Sequence, residues 1–130
     1  MTRLSFLALL LVALVGCTST NQVEVTDANN GQTIELEPGQ TLMLRLPANA
    51  STGYRWSLIE SNDTTVLRLL HWEYIQQGER RPGAAGTEVW QFQAGKAGNT
   101  GLKLGYARSN PPGTPEKEFS LTIVVKEQKK

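Results

Sequence analysis

Glu88-Val89-Trp90-Gln91-Phe92-Gln93 decides the fold. The stretch alternates with a period of two, so Trp90 and Phe92 fall on one face of a strand and Gln91 and Gln93 on the other. The same alternation recurs on both sides of it. Leu42-Met43-Leu44-Arg45-Leu46 puts its leucines on one face, and Tyr54-Arg55-Trp56-Ser57-Leu58 repeats the pattern. Leu102-Lys103-Leu104-Gly105-Tyr106 follows, and Phe119-Ser120-Leu121-Thr122-Ile123-Val124-Val125 is the last. Val23-Glu24-Val25 and Ile34-Glu35-Leu36 read as one interrupted strand over 23–36, ended by a turn at Pro38-Gly39. Residues 66–74 read as a strand of mixed faces. Gly and Pro punctuate every stretch longer than about ten residues, which argues against helices. Seven to eight short strands predict an all-β fold, an immunoglobulin-like antiparallel β-sandwich. Trp56, Trp90, Phe92 and Phe119 are its expected core. Trp72 is expected to join them, with His71 on the opposite face.

The N-terminus has a different character. Arg3 precedes an apolar run from Leu4 to Val15, and Leu14-Val15-Gly16-Cys17 closes it. A basic start, a short apolar segment and small residues at a cut site make a secretory signal. The run is too short to span a bilayer, which takes about 20 residues. A cysteine directly after the cut resembles the lipobox of bacterial lipoproteins. That resemblance implies cleavage before Cys17 and lipidation of its sulfur. The expected layout is a signal peptide over 1–16, a lipidated tether over 17–22 and one domain over 23–130. The expected location is the cell envelope, anchored by lipid in the outer membrane, since Thr18 rather than Asp follows the cysteine.

Charge and composition exclude several function classes. The chain has 13 basic and 12 acidic side chains, a net charge of +1. That balance gives no reason to expect nucleic acid as a partner. Cys17 is the only cysteine, so no intrachain disulfide can form. His71 is the only histidine and has no partner at metal-ligand spacing. No metal and no cofactor is expected, and nothing in the sequence requires more than a monomer. Glu116-Lys117-Glu118 and the Lys129-Lys130 tail read as solvated charge; Arg80-Arg81-Pro82 reads the same way, with docking to an acidic partner surface as its functional alternative.

If successive strands alternate direction, every second connection falls at the same end of the sandwich. The connections 47–53, 75–87 and 107–117 then share one end, and they are the long ones. Long loops clustered on a rigid scaffold are the expected binding surface. The first contains Asn49-Ala50-Ser51-Thr52-Gly53-Tyr54, in which Gly53 is expected at positive φ and Asn49 as a local cap. The second contains Gly83-Ala84-Ala85-Gly86, just before the strand with Trp90. The third contains Arg108-Ser109-Asn110, soon after Tyr106, with Pro111 and Pro112 beyond.

These motifs, in this order, resemble the chagasin-like inhibitors of cysteine peptidases. That family carries Asn-Pro-Thr-Thr-Gly and an aromatic in the first loop, Gly-x-Gly-Gly in the second and Arg-Pro-aromatic in the third. Here Ala50 stands in place of the proline, Ala85 in place of a glycine, and Ser109-Asn110 in place of the Pro-aromatic pair. The resemblance covers residues 33–126. It implies a reversible, tight-binding inhibitor of papain-like cysteine peptidases, not an enzyme, whose three loops occlude the active-site cleft. Thr52 would sit at the centre of the wedge. Gly83, Ala84, Ala85 and Gly86 would approach one wall of the cleft, and Arg108, Ser109 and Asn110 the other. The alternative is an envelope binding or adhesion module that keeps the fold without the inhibitory loops. A hydrolase is a poor reading, because no nucleophile motif is present.

Overall fold

The computed structural model describes residues 21–78, 85–109 and 113–127. Cys17, the expected signal peptide over 1–16, Arg80-Arg81-Pro82, Gly83, Ala84, Asn110, Pro111, Pro112 and Lys129-Lys130 lie outside the described residues. Eight strands are present among the described residues: β1 (Gln22–Thr26), β2 (Thr33–Leu36), β3 (Thr41–Ala48), β4 (Tyr54–Leu58), β5 (Leu67–Gln76), β6 (Gly86–Ala94), β7 (Gly98–Arg108) and β8 (Lys117–Val125). They form two four-stranded sheets, ordered β1-β3-β6-β5 and β2-β8-β7-β4. The expected β-sandwich is therefore the observed architecture.

The core lies between the sheets. Leu42, Leu44 and Leu46 of β3 face Phe92 and Trp90 of β6 on one side, with Leu102, Leu104, Phe119, Leu121 and Ile123 on the other. Burial of these alternating side chains drives the assembly, at about 25 cal/mol per Å² removed from water. Trp72 packs against this core while His71 is exposed, so the two do occupy opposite faces.

Two details depart from the sequence reading. The stretch 23–36 is two strands in different sheets, not one. A 3-10 turn at Asp27–Asn29, capped by Thr26, carries the chain across from β1 to β2. Both run parallel to their neighbours, β1 along β3 and β2 along β8, so the sandwich is antiparallel in its interior and parallel at these two edges. The mixed faces of β5 have a local cause. Leu69 pairs with Phe92 but His71 pairs with Gln91, so Leu70 is an extra residue in a β-bulge. Odd residues face inward before the bulge and even residues after it, which turns Trp72 and Tyr74 toward the core.

Candidate functional site

The register fixes where the three loops go. Ala48 at the end of β3 and Gln76 at the end of β5 both pair with Gly86 at the start of β6. In the other sheet, Tyr54 at the start of β4 pairs with Arg108, and Tyr106 with Lys117. The connections 49–53, 77–85 and 109–116 therefore emerge at one end. Their bases are closed by backbone hydrogen bonds, Gln77 N–H to Ala85 O at 3.2 Å and Glu116 N–H to Tyr106 O at 2.9 Å.

The first loop is a tight 3-10 turn, Ala50–Thr52, that ends on Gly53 in the left-handed region at φ 80°. A β-carbon is disfavoured there, which explains the glycine. Asn49 caps the turn: its Oδ1 accepts from Ser51 N–H at 3.2 Å and from Ser51 Oγ at 2.6 Å. Thr52 Oγ1 donates to Asn49 O at 2.7 Å. Ala50, Ser51 and Thr52 are exposed. The turn thus presents small side chains on a backbone held by its own bonds.

Two tyrosines hold the turn from below. Tyr106 on β7 is buried, and its hydroxyl oxygen accepts from Asn49 N–H at 2.9 Å. Tyr74 on β5 accepts from Ala50 N–H at 3.4 Å. Tyr106 also stacks on Tyr54, with ring centroids 5.4 Å apart, and lies 5.1 Å from Trp56. Tyr54 Oη donates to Glu116 Oε1 at 2.9 Å, which ties the first loop to the third. That bond is the main reason the Tyr54 ionisation is raised above its ordinary value, while Arg108 nearby pulls it down.

Among the described residues, Glu88 is the buried acidic side chain beneath this end. It is 2 % exposed and lies on the same face of β6 as Trp90 and Phe92. Its carboxylate accepts from Trp56 N–H at 2.9 Å and from Trp72 Nε1–H at 2.8 Å. Trp56 belongs to β4 and Trp72 to β5, the edge strands of opposite sheets. One carboxylate therefore joins the two sheets along one open side, and it satisfies an edge-strand amide. Between these strands runs a groove of about 340 Å³, lined by Ala50, Gly53, Tyr54, Arg55, Trp72 and Ser109 among others.

The structure places Asn49, Ala50, Ser51, Thr52, Gly53, Tyr54, Ala85, Gly86, Arg108 and Ser109 at this one end. Gly86 is buried at the base of the second loop, whereas Ala85 is exposed. Glu116 was expected to be solvated charge; it is exposed but engaged by Tyr54. Sequence reasoning missed Tyr74, Glu88 and Arg55. Glu88 carried a usable signal, because a carboxylate two residues from Trp90 and four from Phe92 shares their face. Tyr74 was obscured by the bulge.

The profile described as Chagasin family peptidase inhibitor I42 matches residues 35–123. Chagasin from Trypanosoma cruzi is 29% identical over 89 residues, covering 65% of this chain and 80% of chagasin. Among solved structures, the cysteine protease inhibitor EhICP2 from Entamoeba histolytica superposes with a TM-score of 0.71 at 22% identity, over 81% of this chain and 96% of that one. Amebosin gives a TM-score of 0.67 at 25% identity, over 79% and 96%. PbICP-C, solved in complex with falcipain-2, gives 0.59 at 18% identity, over 82% and 91%. The chain that carries this clamped turn belongs to the chagasin family of cysteine peptidase inhibitors, and is not an enzyme.

Proposed function

We propose that this protein inhibits papain-like cysteine peptidases reversibly, by inserting the loops around 49–54, 83–86 and 108–110 into the active-site cleft. The observation that carries the reading is the first turn. It is small, exposed and clamped by Tyr106 and Tyr74 on a rigid sandwich. A preordered loop loses little entropy on binding, so more of the contact energy appears as affinity. Three loops on one end could supply the roughly 800 Å² per partner of an enzyme–inhibitor interface. The falcipain-2 complex of PbICP-C supports a partner of this class.

Lipidated Cys17 and the tether over 17–22 would hold the inhibitor at the cell envelope, in the outer membrane. The bulge at Leu70 and the capping of Trp56 N–H by Glu88 both blunt exposed edges, which supports a monomer.

The test is to titrate a fixed amount of papain, and separately of a cathepsin L-type peptidase, with the purified protein. Stoichiometric loss of activity that returns on dilution is the expected result. No inhibition at micromolar concentration would favour the envelope binding module instead.

A further inference from the structure

Most cations of the described residues lie beside carboxylates or polar groups. Arg45 pairs with Glu24, Lys126 with Glu35, and Lys103 with both Glu60 and Glu118. The loop end differs. Arg55 Cζ lies 4.7 Å from the Trp72 ring centroid, and Arg108 Cζ lies 5.4 Å from that of Tyr54. Neither forms an ion pair with a carboxylate among the described residues. Lys117 repeats the arrangement over Tyr106 at 5.7 Å. The nearby carboxylates are already engaged: Glu88 is buried on two N–H donors, Glu116 accepts from Tyr54, and Glu118 pairs with Lys103.

Stacking leaves the in-plane N–H fork of Arg55 free to meet a carboxylate, while Arg108 also interacts with the Tyr54 hydroxyl. Stacking also orders the long side chain before any partner arrives. Trp72 and Tyr54 both line the groove beside the first loop, so the two arginines flank one strip of surface. We infer that Arg55 and Arg108 form a carboxylate-reading rim, and that the partner it fits is a peptidase with acidic side chains on the lip of its cleft. This rests on the inhibitor reading and deepens it. Arg55 is the addition: it lies on β4, outside the three loops. Such a rim acts first on encounter, by steering an acidic surface toward the loops, and then on residence, through bidentate bonds.

The experiment is stopped-flow association of a cathepsin L-type peptidase with the purified protein, at ionic strengths from roughly 0.01 to 1 M. The native protein should bind fastest at low salt and slow steeply as salt rises. The double variant Arg55→Gln, Arg108→Gln should associate roughly tenfold more slowly at low salt, with a flatter salt slope. The double Lys variant keeps the charge but loses the fork, so it should retain the association rate and dissociate faster. Arg68→Gln removes a cation bonded to Gln93 at the far end and should leave both rates unchanged. Melting curves identify any variant that has not folded. An association rate and salt slope of the folded double Gln variant equal to the native ones would overturn the rim. Failure of the native protein to inhibit at any salt would overturn the inhibitor reading itself, and is seen before any variant is made.

Discussion

The Tyr74 ring lies against the α-carbon of Gly86, in the space that a β-carbon on Gly86 would fill. From there its hydroxyl reaches Ala50 N–H. Gly86 closes the second loop and Ala50 opens the first, so this contact couples the two. The glycine is needed for the ring's position, not for unusual backbone angles.

Gly86→Ala should therefore weaken inhibition while the sandwich still folds. The overpacked ring should cost about 1–3 kcal/mol of stability. Inhibition should fall by more than that of Tyr74→Phe, which removes only the hydroxyl. Inhibition constants and urea unfolding of the two variants check this together.

Glu88 should be the most sensitive polar residue in the protein. Glu88→Ala leaves Trp56 N–H and Trp72 Nε1–H without their acceptor inside the sandwich. The expected loss is about 2–4 kcal/mol, from two orphaned donors and a cavity. Glu88→Gln keeps one acceptor oxygen and should fall between. Urea midpoints at neutral pH give the order native, Gln, Ala.

Tyr54 makes a pH prediction whose sign follows from its neighbours. Donation to Glu116 favours the neutral phenol, so its folded-state ionisation lies above the ordinary 10.0. The stabilising bond is fully present below that ordinary value, and it is lost as pH rises through the raised one. Glu116→Gln should move the Tyr54 titration down, and Arg108→Gln should move it up. Phenolate absorbance, with Tyr54→Phe as the reference, reads both shifts.

Gly53→Ala tests the left-handed turn residue. Nothing lies within 4 Å of the added β-carbon, so the cost is conformational alone. It should be about 1 kcal/mol, with weaker inhibition because the turn backbone is displaced. Thermal melting and an inhibition constant separate the two effects.

Much of this was legible in the sequence. Alternation in residues 42–46, 88–93 and 119–125 identified the inward faces, because each strand has one buried and one wetter side. Turn chemistry identified Gly53 and Asn49, because positive φ and local capping select those residue types. The crossing from β1 to β2 was not legible: two three-residue patterns do not say which sheet each joins, and the edges pair by long-range register. The role of Tyr74 was hidden because one extra residue, Leu70, reverses the parity of the strand that carries it. The tyrosine clamps were also invisible, since Tyr106 and Asn49 stand 57 positions apart.

The most direct test of the central claim is the inhibition constant of Thr52→Arg against a cathepsin L-type peptidase. Thr52 is exposed at the tip of the turn, and a long cation there should keep the turn out of a narrow cleft. The account predicts inhibition at least about 30-fold weaker, equivalent to about 2 kcal/mol, with stability changed by no more than about 1 kcal/mol. Native-like inhibition by a folded Thr52→Arg protein would contradict it, because the first loop could not then be the part that enters the cleft.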